Sequence, residues 1–198
     1  MYDERLAGFS RERLDSRPIP DDLRVLLVAQ WEGRTDFTRL LDLEFFESGE
    51  AHPLLDTSYL SEKELADPEM QAVNAAAAEM AKYVKLVAKG GKGWIGYWLH
   101  PDEPADRAWH LMELDTEFSF WSLVGLTLTE GVAAERADYQ DDPDERIAFT
   151  QLAAELAELG LPLSTQDYDA LDDTEYTVNP EKLMEELIEA EREKRGLR

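Results

Sequence analysis

The chain has 198 residues, 44 of them acidic and 20 basic, for a formal net charge of −24. Its hydrophobic share of 43%, with five Trp, seven Tyr and seven Phe, belongs to a folded chain long enough to bury a core rather than to a disordered tail. Such a charge opposes any direct grip on phosphate backbones or anionic membranes and attracts basic partners, although an acidic surface also serves solubility alone. With no cysteine, disulfides, thiolate metal sites and a Cys nucleophile are excluded, and a reducing cytoplasm is the expected location. The opening MYDERLAGFSRERL is charged throughout, so no secretory signal is expected. No run of about 18 apolar residues offers a membrane span.

Residues 1–17 are weakly patterned and predict a loose arm or one short helix. In 18-PIPDDLRVLLVAQWEG-33, Pro20 suits a helix start and Asp21 and Asp22 suit its positive end. Leu23, Leu26 and Leu27 follow helical spacing, and Gly33 ends the helix. Residues 34–60 have a mixed period that assigns no element, although Phe37, Leu40, Leu41, Leu43, Phe45 and Phe46 call for burial. Ser61 with Glu64 has capping-box spacing, and Asp67-Pro68 opens a longer helix through Val73, Ala76, Ala77 and Met80. From Tyr83 the chain becomes rich in aromatic and β-branched residues, in YVKLVAKG, WIGYWLH, WHLMELD and FSFWSLVG. Turn-forming stretches separate the four segments, which predicts an antiparallel meander of about four strands over residues 83–124. Thr127 caps a helix at 128–138. Asp142-Pro143 opens another, with Phe149, Leu152, Ala153, Leu156 and Leu159 on one stripe before Gly160. An acidic loop, 164–179, precedes a last helix that Asn179-Pro180 opens. The fold class is α+β: residues 1–139 form the domain, and 140–198 an acidic helical extension packed on it.

Gly91, Gly93 and Gly96 formally match the G-x-G-x-x-G pattern of nucleotide-binding loops. That loop works because a helix follows it and aims its N-terminus at the pyrophosphate. Here Trp94, Ile95, Tyr97, Trp98 and Leu99 alternate as a strand instead, so the glycines are expected to supply positive φ for a tight hairpin. The kinase arrangement, a glycine loop between strands, lacks its downstream Asp-Asn and Asp-Phe-Gly motifs. His52, His100 and His110 are scattered, and His100 and His110 with Asp102 and Glu103 have no metal-site spacing. A calcium loop counted from Asp167 places Leu171, Asp172 and Val178 where an oxygen ligand, Gly and Glu are needed. No carboxylate pair stands out among 44 acids, so no enzyme, cofactor or metal is expected. In WIGYWLH, Ile95, Tyr97 and Leu99 face one side while Trp94 and Trp98 face the other. The second face is covered by the C-terminal helices, whose apolar stripes need burial, or is left for a partner.

The order of the pieces resembles the SUKH superfamily, which includes the yeast cell-wall-assembly regulator and many bacterial immunity proteins. The similarity runs through 20-PDDLRVLLVAQWEG-33, 84-VKLVAKGGKGWIGYWLHP-101, 109-WHLMELDTE-117, 118-FSFWSLVG-125 and 126-LTLTEGVAAE-135. Two departures are Lys92, where an acidic residue is common, and Gly131, where a bulky apolar residue is usual. The resemblance implies a non-enzymatic α+β binding domain, and its bacterial members often neutralise a cognate toxin, frequently a nuclease. An acidic protein can be steered to the basic, phosphate-gripping surface of such a toxin. Candidate partner-binding residues are Trp98 and the acidic positions Asp102, Glu103, Asp106, Glu113, Asp115 and Glu117. An adaptor on the same scaffold and a small carboxylate-based hydrolase are the alternatives.

Overall fold

Apolar alternation between residues 84 and 123 turns into a sheet, in a computed structural model that describes residues 2–105, 107–138, 145–173 and 175–197. The strands are β1 (Glu44–Phe45), β2 (Val84–Lys89), β3 (Gly93–Trp98), β4 (His110–Asp115) and β5 (Phe120–Leu123). They lie in chain order, every neighbouring pair antiparallel. Among the described residues the helices are α1 (Asp3–Arg13), α2 (Asp21–Trp31), α3 (Asp36–Leu41), α4 (Glu62–Leu65), α5 (Pro68–Met80), α6 (Leu128–Asp138), α7 (Glu145–Glu158) and α8 (Pro180–Lys194). The class is α+β, with five strands rather than about four. The additional strand, β1, comes from the stretch whose mixed period assigned nothing. None of the described helices is long and apolar enough to cross a membrane.

The helix starts follow local chemistry. Ser61 and Glu64 form a reciprocal capping box on α4, and the Asp67 carboxylate accepts from the Glu69 amide to cap α5. Asn179 caps α8 through the Lys182 amide. Thr127 accepts from the Glu130 amide at the start of α6, whereas the start proposed at Asp142-Pro143 lies outside the described residues. The first residues form a helix, α1, rather than a loose arm.

Both faces of the sheet are buried. Ile95, Tyr97 and Leu111 point to a first core filled by Leu23, Leu27, Val132 and Phe149. Leu86, Trp98, Met112 and Leu114 point to a second core filled by Ala77 and Met80, with Leu183, Met184 and Leu187 of α8 packed against it. Residues beyond 140 therefore serve both sides, α7 on the first and α8 on the second. A register shift between Leu86 and Ala88 marks a bulge at Val87, so Val87 and Ala88 both reach the first core. Edge strand β1 is closed by a side chain: the Gln30 carboxamide of α2 accepts from the Phe45 amide (2.7 Å) and donates to the Phe45 carbonyl (3.0 Å). Both free backbone groups of one edge residue are satisfied this way.

The 90–93 segment is a hairpin, closed by the Gly90 amide donating to the Gly93 carbonyl at 2.8 Å. Its glycines, however, are absent from the positive-φ positions. They are required by close approach: a Cβ on Gly93 would lie 2.1 Å from the Leu114 carbonyl oxygen, and one on Gly96 would lie 2.1 Å from that of Lys85. Gly96→Ala must push β2 away from β3, with an expected loss of about 1–3 kcal/mol. At Gly91 an added Cβ would meet the flexible Asp42 carboxylate at 3.0 Å, so Gly91→Ala should stay within about 0.5 kcal/mol of the parent. Urea unfolding measures both, and equal losses would contradict close approach as the reason for Gly96.

Candidate functional site

Along β4 the residues facing the first core are Leu111, then Glu113, then Asp115, because side chains alternate along a strand. Position 113 should therefore be apolar. It holds a carboxylate that is only 4% exposed, opposite Trp121 of β5 in the sheet register. Here the covering helix α6 leaves a cleft of about 550 Å³ between itself and the sheet. Glu113, Trp121, Leu123, Gly131, Glu135 and Lys92 are among the residues lining it. Gly131 allows α6 to approach this closely: a Cβ there would lie 2.8 Å from Leu111 Cδ1 and 3.1 Å from the Val124 carbonyl oxygen. A bulkier residue at this position has no room.

The electrostatics of the cleft are unbalanced. Lys92 Nζ, from the β2–β3 hairpin, pairs with Glu135 Oε1 of α6 at 2.6 Å. Glu113 Oε1 is buried without a hydrogen-bond partner. Burial pushes the Glu113 carboxyl up, Glu135 and Asp115 add to the rise and Lys92 opposes it, and the result is about 7. Asp115 is occupied differently. Its Oδ1 accepts from the Glu117 and Ser119 amides at 2.8 and 2.9 Å, and its Oδ2 accepts from the Trp121 indole at 2.9 Å. The indole bond, with the Ser119 amide, holds the Asp115 carboxyl below its ordinary range. In return Asp115 fixes the β4–β5 turn, where Phe118 takes a φ of 65°, and it orients Trp121. That ring is 57% exposed, so one face of the cleft ends in a pinned, open indole.

Glu113, Asp115 and Glu117 thus gather at this cleft, while the other proposed site residues do not. Trp98 is a correction: it is 1% exposed, stacked on His100 and edge-on to Tyr83 and Tyr176. Tyr176 and α8 cover its face of the sheet, which leaves no surface there for a partner. Glu103 lies at the opposite end of β4, with its side chain 9% exposed and 3.2 Å from His110. It accepts from the Thr177 and Val178 amides, so it fastens the approach to α8 instead of facing outward. Burial raises its pKa, but the hydrogen bonds from Val178 and Thr177 outweigh it and leave the carboxyl lowered. Asp102 is exposed beside His100, whose Nδ1 accepts from the Asp102 amide. Asp106 lies outside the described residues. Trp121, Glu135 and Lys92 are the cleft residues that the sequence did not single out as a site. One signal was available: the Leu-x-Glu alternation at 111–113 puts an acid on a core-facing position.

Among the described residues no group of three or more His, Asp or Glu is placed to hold a metal ion. The cleft offers instead a vacant buried acceptor, a second carboxylate already paired on one side, and an aromatic face.

Because the folded protein holds the Glu113 proton more tightly than the unfolded chain, ionising it lowers stability. The penalty is absent below the ordinary value of 4.5 and complete once pH has risen past about 7. The difference corresponds to on the order of 3 kcal/mol. Glu113→Gln carries no such charge. Its stability relative to the parent should therefore rise by that order between about pH 4.5 and about pH 8, as measured by urea unfolding. A pH-independent difference would show that Glu113 titrates normally. No family model, no curated protein and no solved structure matches this chain.

Proposed function

We propose that this protein is a non-enzymatic binding protein that neutralises a basic protein partner by one-to-one occlusion. This is the immunity-type role implied by its resemblance to the SUKH superfamily, and a nuclease toxin, basic where it holds phosphate, is the fitting kind of partner. The observation that carries the reading is the acidic cleft at the open end of the sheet, with exposed Trp121 beside the vacant Glu113 oxygen. A buried carboxylate with partly exposed neighbours and an exposed aromatic ring make an anchor for a cationic surface, and the net charge of −24 steers that surface toward it. The adaptor alternative loses its anchor, because Trp98 belongs to the core.

One observation favours a second reading. Glu113, raised to about 7 beside Glu135, has the protonation behaviour of a carboxylate in general acid–base catalysis. Hydrolysis of a glycoside or ester by the intact protein, abolished in Glu113→Gln, would replace the binding reading.

The binding reading predicts a strong salt effect. With a partner domain identified by affinity capture, the association rate should fall about tenfold or more between low and physiological salt. Glu117→Lys, at the exposed rim, should slow association further, and a nuclease partner should be silenced at one-to-one stoichiometry. A partner that is acidic, or association indifferent to both salt and Glu117→Lys, would sink the proposal.

A further inference from the structure

The Glu113 cleft specifies more than a generic acidic surface. Glu113 Oε1 is a buried acceptor that no protein donor reaches, and folded proteins normally satisfy such a group with a water or a bound partner. Whatever relieves it must enter through the cleft, since Glu113 is otherwise enclosed at 4% exposure. It must also be a cation or a donor, because Glu135 and Asp115 face the same space. Lys92 forms an ion pair with Glu135 from the hairpin side at 2.6 Å, but no protein donor among the described residues is hydrogen-bonded to Glu113 Oε1 or to Glu135 Oε1.

We infer that the cleft receives the guanidinium of a single arginine side chain projecting from the basic partner, seated against Trp121 and hydrogen-bonded to Glu113. This inference rests on the proposed binding function and names the group that the site takes. Three features favour arginine. The Trp121 ring is exposed yet oriented by its bond to Asp115, and a guanidinium stacks on an aromatic face while presenting its edge to a carboxylate. The walls beside the carboxylates include Leu123, Val124 and Ala134, which suit the aliphatic stem. The cleft, at about 550 Å³, has ample room for the whole side chain. An ammonium is more strongly hydrated than a guanidinium and lacks its planar fork, so lysine should bind less well.

Occupancy has a proton consequence. Among the described residues the charged or titratable groups lining the cleft with Glu113 are Glu135 on α6, Asp115 on β4, Glu117 in the β4–β5 turn, Lys92 from the hairpin and Tyr168 across the cleft. Burial and the two acids raise the Glu113 carboxyl to about 7. A bound guanidinium favours the ionised form, so binding releases a proton below neutrality and tightens as pH rises.

The probe is N-acetyl-arginine amide, titrated into isotopically labelled full-length protein while the Trp121 indole N–H resonance is followed. Saturable binding is expected, about tenfold or more tighter at about pH 8 than at about pH 5. N-acetyl-citrulline amide, the neutral isostere, should be silent, and N-acetyl-lysine amide weaker. Glu113→Gln should weaken arginine binding at least about tenfold. So should Trp121→Ala, which alters an exposed ring and leaves the core intact; it is read from backbone amides of β5 and α6. No saturable response in the parent protein, or equal responses to arginine and citrulline, would overturn the inference. If a basic protein partner binds with salt-dependent association and both variants leave it unchanged, the arginine site falls while the broader function stands. If the arginine probe binds as described and no basic protein does, the function falls and the site stands.

Discussion

A strand with bulky apolar side chains on both faces has to be buried on both, and β3 imposes that requirement on the whole chain. Ile95 and Tyr97 point one way and Trp94 and Trp98 the other, so neither face can be left to water without exposing a large ring or a branched chain. The helices divide accordingly. α2, α3, α6 and α7 close the first face, and α5 and α8 close the second. The chain beyond residue 140 therefore supplies material to both cores. The Glu103 carboxylate, accepting from the Thr177 and Val178 amides, ties the β3–β4 connection to the segment entering α8.

The same requirement explains where an opening can exist. The second face is sealed around Trp98 by Tyr83 and Tyr176. On the first face α6 crosses close to β4 and β5 at Gly131, then leaves space where Glu113 and Trp121 stand opposite each other. Glycines at 93 and 96 let β3 approach its two neighbours more tightly than a Cβ would allow. On β3 glycine acts by letting backbones meet, so the last two glycines of the GxGxxG spacing, Gly93 and Gly96, stand where a neighbouring strand leaves no room for a Cβ. A phosphate loop would need its amides free and a helix behind them; Gly90 spends its amide on Gly93.

What was legible in the sequence was local. Ser61 with Glu64, Asp67 before Pro68 and Asn179 before Pro180 each declare a helix start through groups within three residues. Alternation gave the four longer strands and the two-faced character of β3. What escaped depends on partners distant in sequence. β1 is two residues long and is completed by Gln30 from α2, which no period reveals. Position 103, in a loop at a strand end, reads as exposed until residues 177–178 are brought to it. Trp98 and Trp121 both stand in aromatic strands, and only the placement of α8 and α6 makes one a core residue and the other an open ring. The reason for the hairpin glycines was likewise invisible, since it is the backbone of another strand that forbids the Cβ.

Glu113 is the exception to this division, because its irregularity is local and its meaning is not. The Leu-x-Glu pattern in HLMELD places an acid where the fold calls for an apolar side chain, a conflict between local and global preference of the kind that marks functional positions. Structural compensation would be expected to arrive as a nearby Lys or Arg. Lys92 is the available candidate, and it pairs with Glu135 instead. Two carboxylates on facing elements share one ammonium, and the deeper one, Glu113, keeps its proton up to about pH 7. Asp115, which could have competed for any incoming cation, is held by two backbone amides and the Trp121 indole. The unmet demand is thereby concentrated on the Glu113 and Glu135 Oε1 atoms beside a single aromatic face. A surface evolved only for solubility would distribute its acids into water, where each is screened and none is short of a partner.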